Sequence, residues 1–200
     1  MRDRVHGIVT TGGAAPNIVP AFTEGHWMVR ARDLDRLDEV TRRVRDCFAA
    51  GALATGCSLT IREHALFADV AHDAELAALY AGHATALGRT IHPAGAPVST
   101  DMGNVSYVVP SIHPMLGVET HGAVNHQPEF AAACATPDAD RAVIDGALAL
   151  ARTAIDAALD PAIRARLMAH RPDPAVVARV TDGWTLDGRD GAAPADAPDA

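Results

Sequence analysis

The chain has 200 residues, 48% of them apolar, and a formal net charge of −8. That is enough apolar chain for one or two domains with a usable core. The negative balance, with every basic residue an arginine and none of them gathered in a block, excludes a nucleic-acid partner, whose affinity rests on Lys and Arg neutralising phosphates.

No window of the sequence is apolar for long enough to span a membrane, and the opening MRDRVHGIVTTGG has neither a signal-peptide nor a transit-peptide pattern. A cytoplasmic protein without a membrane partner is expected. Cys47, Cys57 and Cys134 make no CxxC pair and leave an odd one out. This fits buried free thiols, serving as small core residues, in a reducing compartment.

Taken in chain order, Val5, Gly7 and Val9 alternate with His6, Ile8 and Thr10 until GGAAPN forces a turn. A second alternation over Ile18 to Arg32 predicts the partner strand of a hairpin. Asp33 caps a helix with Leu37, Val44 and Phe48 on its apolar stripe and Asp38–Arg42 and Glu39–Arg43 on its wet side, ending near Gly56. Cys57, Leu59 and Ile61 alternate again, which predicts a third strand and the order β-β-α-β. This is a four-stranded plait short of its opening strand and helix.

From His72 the texture turns helical. Asp73 to Leu87 reads as a helix with Leu76, Leu79, Tyr80 and Leu87 on one side, stopped by Gly88. A loop rich in Gly and Pro runs to Val98, and Ser99-Thr100-Asp101 can start a short helix through its Ser or Asp side chains accepting from the first amides. Val105–Val109 and Ile112–Val118 read as strands. Asp138 to Leu159 reads as a long helix with Ile144, Leu148, Ala151 and Ile155 on its stripe, and Asp160-Pro161 opens a short helix to about His170. Beyond Arg171 the Pro, Ala, Asp and Gly content predicts a disordered tail. There is no internal repeat.

Val98 to His126 gathers an acidic turn, an apolar stretch and three histidines, the composition of half a metal site. No second cluster with ligand spacing accompanies it, and a catalytic zinc takes at least three protein ligands.

RVHGIVTTGGAAPNIVP, the strand ending in MVRA, the STDMGNVSYVVP turn and the late NH dipeptide before an Ala-rich helix resemble the carboxy-terminal half of the dinuclear-metal amidohydrolase and peptidase family. That family includes aminobenzoyl-glutamate hydrolase, the carboxypeptidase-G enzymes, aminoacylase and succinyl-diaminopimelate desuccinylase. The aminobenzoyl-glutamate hydrolase and β-alanyl-lysine dipeptidase branch is the most similar part of it, and the resemblance runs from Arg2 to about Leu167. It implies an α/β fold class: a partial plait lid over residues 1–64, used for dimerisation, then the carboxy-terminal part of a zinc-peptidase α/β domain over 65–170, with 171–200 as the tail.

Carried over position by position, the resemblance implies that His126 is a metal ligand, with His121 as the competing candidate and His113 as a structural residue. It implies that Asn17 and Arg30 reach the substrate carboxylate or the tetrahedral intermediate, roles suited to an amide donor and a guanidinium fork. Ser99, Thr100 and Asp101 match a turn lining the substrate pocket; a plain helix cap explains them equally well. The family's other ligands and its Glu-Glu dipeptide, which includes the general base, have no counterpart here, and Glu119 matches no role. The resemblance therefore implies a carboxy-terminal fragment of an amidohydrolase or dipeptidase, inactive alone. The complete enzyme would use a divalent metal (zinc, or manganese or cobalt), cleave small N-acyl amino acids or dipeptides, and pair as a homodimer through its lid. The other function class open to this sequence is a non-catalytic dimerisation or regulatory module.

Overall fold

The protein is described by a computed structural model over residues 3–92 and 100–182. The chain divides into two compact units, the first running to Asp69 and the second comprising Val70 onward through Thr181. The fold is mixed, with two strands and seven helices among the described residues.

In the first unit, β1 (Arg4–Thr11) pairs antiparallel with β2 (Glu24–Arg30), so the expected hairpin forms, with a shorter second strand than the alternation predicts. Gly7 lies opposite Trp27, and a Cβ at Gly7 would fall 2.3 Å from the His26 carbonyl oxygen and 2.7 Å from the indole. Glycine thus lets the indole lie flat on the partner strand, and the indole also meets the Phe48 ring edge-on at 5.2 Å between centroids. Phe48 belongs to α1 (Leu34–Thr55). The Asp33 carboxylate accepts from the Arg36 amide to cap this helix, and Gly56, at φ 69°, ends it in the left-handed conformation that glycine adopts without cost. On the wet side Glu39 accepts from Arg36, which also donates to Asp3 at 2.8 Å and holds that carboxyl below the usual aspartate range.

The third strand does not form. Cys57–Ile61 is neither helix nor strand, and its backbone does not join the β1–β2 ladder. Alternation permits a strand, but a strand exists only where a neighbouring edge takes up its hydrogen bonds.

The second unit is helical. α2 (Ala74–Ala86), capped by Asp73, packs on α5 (Pro137–Leu159), capped by Thr136. Tyr80 and Ala84 of α2 bury Ala149 of α5 completely. The stripe expected for α5 is not its buried face. Ala139, Ala142, Gly146, Ala149, Thr153 and Ala157 are buried, whereas Ile144, Leu148, Ala151 and Ile155 are exposed. Small residues at spacings of three and four bring two helix backbones close, and large ones would hold them apart. Two polar pairs flank this contact: His83 Nε2 with Asp156 at 2.7 Å, and Arg89 Nε with Asp145 at 2.8 Å.

α3 (Asp101–Ser106) and a turn over residues 107–109 replace the expected strand Val105–Val109, and residues 112–118 form no strand. The Thr100 cap commits Val105 to helix, while Pro110 and Pro114 have no amide hydrogen to give a ladder. Only Ser111 makes a bridge there, to His72. α4 (Pro128–Ala133) follows the histidine loop. α6 (Pro161–Ala169) is capped by Asp160 as expected, and its Arg166 donates twice to Asp73, at 2.7 and 2.9 Å, and once to Glu75. The expected tail also needs correction at its start, because Pro174–Thr181 forms α7, whose Val180 is only 1% exposed. Residues 183–200, the rest of that expected tail, lie outside the described residues.

The cysteine expectation fails as well. Cys47, Cys57 and Cys134 are all free but exposed, so none is a core residue.

Candidate active site

The carried-over residues fall in both units. In the first, Asn17 is exposed on the turn of the long hairpin loop, and Arg30 ends β2 opposite Arg4. Arg30 thus sits at the far end of the ladder from the loop that carries Asn17, roughly 20 Å along the strands at about 3.3 Å per residue. The structure does not bring these two together within the hairpin. Arg30 is half-buried, and its Nε lies 3.3 Å from the Met28 sulfur, leaving the planar end of the guanidinium available for a carboxylate.

In the second unit, Thr100 caps α3. Its hydroxyl donates to Asp101 Oδ1 at 2.8 Å while the Met102 amide donates to both side chains, at 3.2 and 3.1 Å. These bonds, the Thr100 hydroxyl first, hold the Asp101 carboxyl below the usual aspartate range. The helix-cap reading of this turn is therefore realised. Ser99 lies outside the described residues. α3 is held from behind by buried polar contacts. Asn104 donates to the Val180 carbonyl of α7 at 2.7 Å, and the Ser106 hydroxyl accepts from the Ala71 amide at 2.9 Å.

His121 and His126 share an unusual backbone state. They are the non-glycine residues with positive φ among the described residues, at 50° and 68°. The left-handed region is costly for most side chains, and histidine is among the few types enriched there. Both imidazoles are exposed. The loop that carries them is fixed from α5, where Asp138 accepts from the Glu119 amide at 2.8 Å and Glu119 in turn accepts from the His121 amide at 2.8 Å. The Glu119 amide, then Arg141, holds the Asp138 carboxyl below its usual range.

This loop and α4 border a groove of about 760 Å³ whose polar lining includes Glu119, His121, Gln127, Glu129 and Asp138. His121 faces the groove, and His126 is not among its lining residues. Sequence reasoning missed Glu129 and Asp138; the signal for the second was its place two residues after the Thr136 cap. His113, read as structural, has its amide 3.4 Å from His72 Nδ1. No group of three or more His, Cys, Asp or Glu among the described residues is arranged to hold an ion. The donors present here therefore do not by themselves fit a catalytic metal, which needs at least three.

No protein-family model matches the chain. Two curated proteins resemble it: a mouse Xaa-Arg dipeptidase, 37% identical over 166 residues, and a human Xaa-Arg dipeptidase, 36% identical over 167. These alignments take in 80% and 79% of this chain. The chain spans 38% and 37% of the length of those relatives. The likeness is therefore to peptidases that act on dipeptides, and it runs through both units. Among the described residues, no helix is long and apolar enough to cross a membrane.

Proposed function

We propose that this chain is part of a dipeptide-hydrolysing enzyme of the dinuclear-metal amidohydrolase and peptidase family, cleaving the amide bond of dipeptides that end in a basic residue. The observation that carries this is the likeness to two Xaa-Arg dipeptidases along four fifths of the chain. In this reading Arg30 grips the substrate carboxylate with its guanidinium fork, Asn17 donates to it or to the oxyanion, and the Thr100–Asp101 turn lines the pocket. His126 is one ligand of a divalent ion, zinc before manganese or cobalt, whose other ligands lie outside the described residues. The chain alone is then inactive. Pairing of two copies through the hairpin-and-helix unit belongs to the same reading, supported by the exposed Ile8, Val9 and Phe22 of the hairpin and its loop. So does a cytoplasmic site, supported by three exposed free thiols.

The test is an arginine-release assay on a panel of dipeptides. The chain alone, with zinc, manganese or cobalt, is expected to release none. Co-expressed with the part of the mouse dipeptidase that it does not span, it is expected to release arginine, with KM raised at least tenfold by Arg30→Ala and turnover lost in His126→Asn. Chelator-sensitive turnover by the chain alone would overturn the shared site. A complex that forms but cleaves no dipeptide would overturn the dipeptidase reading.

A further inference from the structure

We infer that Asn104 is a positioning residue for the Thr100–Asp101 turn, acting through α7, and that α7 is a strap that sets this wall of the substrate pocket. Both helices are short, six residues in α3 and eight in α7. Helices of that length are marginal in water by themselves and persist through the contacts they make. Here one contact joins the two. Val180 lies in the last turn of α7, where carbonyls find no amide of their own helix to accept from, and it is 1% exposed. A carbonyl left unmet in such a place is costly. Asn104, itself 8% exposed, supplies the missing donor at 2.7 Å.

The same bond orients α3. Gly103, buried next to Asn104, donates its amide to the Thr100 carbonyl at 2.9 Å, so a displacement of Asn104 reaches the cap directly. Two residues further on, the Ser106 hydroxyl donates to the Gly103 carbonyl at 2.6 Å and accepts from the Ala71 amide. Ala71 stands two residues before the Asp73 cap of α2, which Arg166 secures. A short helix held at one point can turn about it, whereas two anchors on different elements fix the direction of the Thr100 hydroxyl and the Asp101 carboxylate. The inference rests on the reading of that turn as part of a dipeptide pocket, but the strap itself can be measured without turnover.

Two variants approach the contact from opposite sides. Asn104→Asp keeps the side-chain shape and replaces the donor by an acceptor, while Val180→Asp loosens α7 and leaves every residue of α3 in place. In the full chain, amide exchange at Gly103 is expected to quicken at least tenfold in both, with α2 and α5 exchanging as in the wild type. The Asp101 carboxyl, followed by carbon NMR, is expected to titrate closer to an ordinary aspartate as its cap bonds loosen. If Val180→Asp unfolds the helical unit, Val180→Ala takes its place, with at least threefold faster exchange at Gly103 expected. In the complex with the unspanned part of the mouse dipeptidase, Asn104→Asp is expected to raise KM at least fivefold and to leave kcat within twofold. Unchanged exchange at Gly103 in a folded Val180 variant overturns the strap, and so does an equal loss of protection in α2 and α5 with Val180→Ala. An active complex whose KM ignores Asn104→Asp overturns the positioning role. A wild-type complex that cleaves no dipeptide removes the dipeptidase reading, and the exchange and the Asp101 titration then decide the strap.

Discussion

The two units solve the problem of a core in opposite ways. The first presents large side chains and buries few of them: Leu34, Val40 and Ala68 are its buried apolar residues among those described, while Ile8, Val9 and Trp27 remain exposed. The second buries mainly alanine along the α2–α5 contact and adds buried polar groups at Asn104, Ser106 and Thr153. Burying a leucine or phenylalanine stabilises by about 1.5–3 kcal/mol, and an alanine contributes far less. A two-stranded hairpin is marginal without further packing. The second unit compensates with close helix approach and fixed polar links; the first depends on a few specific contacts around Trp27.

Gly7→Val tests that dependence most severely. The new side chain collides with the His26 carbonyl and the Trp27 ring, at a cost of about 3 kcal/mol. Amide exchange over residues 4–11 is expected to lose its protection while α2 and α5 keep theirs. Equal loss in both units would show that they unfold as one.

Ala149→Leu strikes the other side of the comparison. Ala149 is 0% exposed, so three extra carbons must force α2 and α5 apart, costing about 2 kcal/mol. A denaturant midpoint that falls for the helical unit and leaves the tryptophan signal of the hairpin unmoved is the expected result.

Asp73→Ala removes the α2 cap and both bonds from Arg166, with an expected loss of about 1.5 kcal/mol. The Asp73 carboxyl is held below its ordinary value, first by Arg166 and then by the Leu76 amide. Its contribution is therefore present above the unfolded value of about 4 and lost as pH falls through the lower folded value. Melts of wild type and variant should converge as pH falls through that lowered value.

Tyr80→Phe is the finest test. The Tyr80 hydroxyl is buried with no hydrogen-bond partner, and burial raises its pKa. Deleting an unsatisfied group is expected to be neutral or to stabilise by up to about 1 kcal/mol. A loss of more than 1 kcal/mol in chemical denaturation would show that the hydroxyl is bonded in solution.

What was legible in the sequence was chiefly the punctuation. Asp33, Asp73 and Asp160 each cap the helix their position implied, and Gly56 ends α1, because a cap is a local interaction between a side chain and an amide nearby; the α3 cap falls on Thr100, where the Ser or Asp side chains of that turn were expected. Strands 57–61, 105–109 and 112–118 were not legible, since alternation or an apolar run does not reveal whether a ladder edge awaits it. The buried face of α5 escapes for a different reason. Weighing residues by hydrophobicity selects Ile144 and Leu148, but close packing selects Ala and Gly. α7 does have a local signal: Asp173-Pro174 repeats the Asp160-Pro161 start, and Asp173 accepts from the Ala175 amide at 2.8 Å. Of the site, the Thr100–Asp101 turn was readable as a cap, whereas the anchoring of the histidine loop by Asp138 joins residues 19 apart in sequence and leaves no local trace.

The left-handed backbone at His126 governs how its chemistry can be probed. Alanine there removes the imidazole and also places a residue that disfavours positive φ at a position held at 68°. The loop then relaxes for conformational reasons, and a lost function is wrongly attributed to a lost ligand. Asparagine, which tolerates that region, isolates the ring, and glycine isolates the backbone. Agreement between those two replacements, with alanine set aside, separates the imidazole's role from its residue's posture.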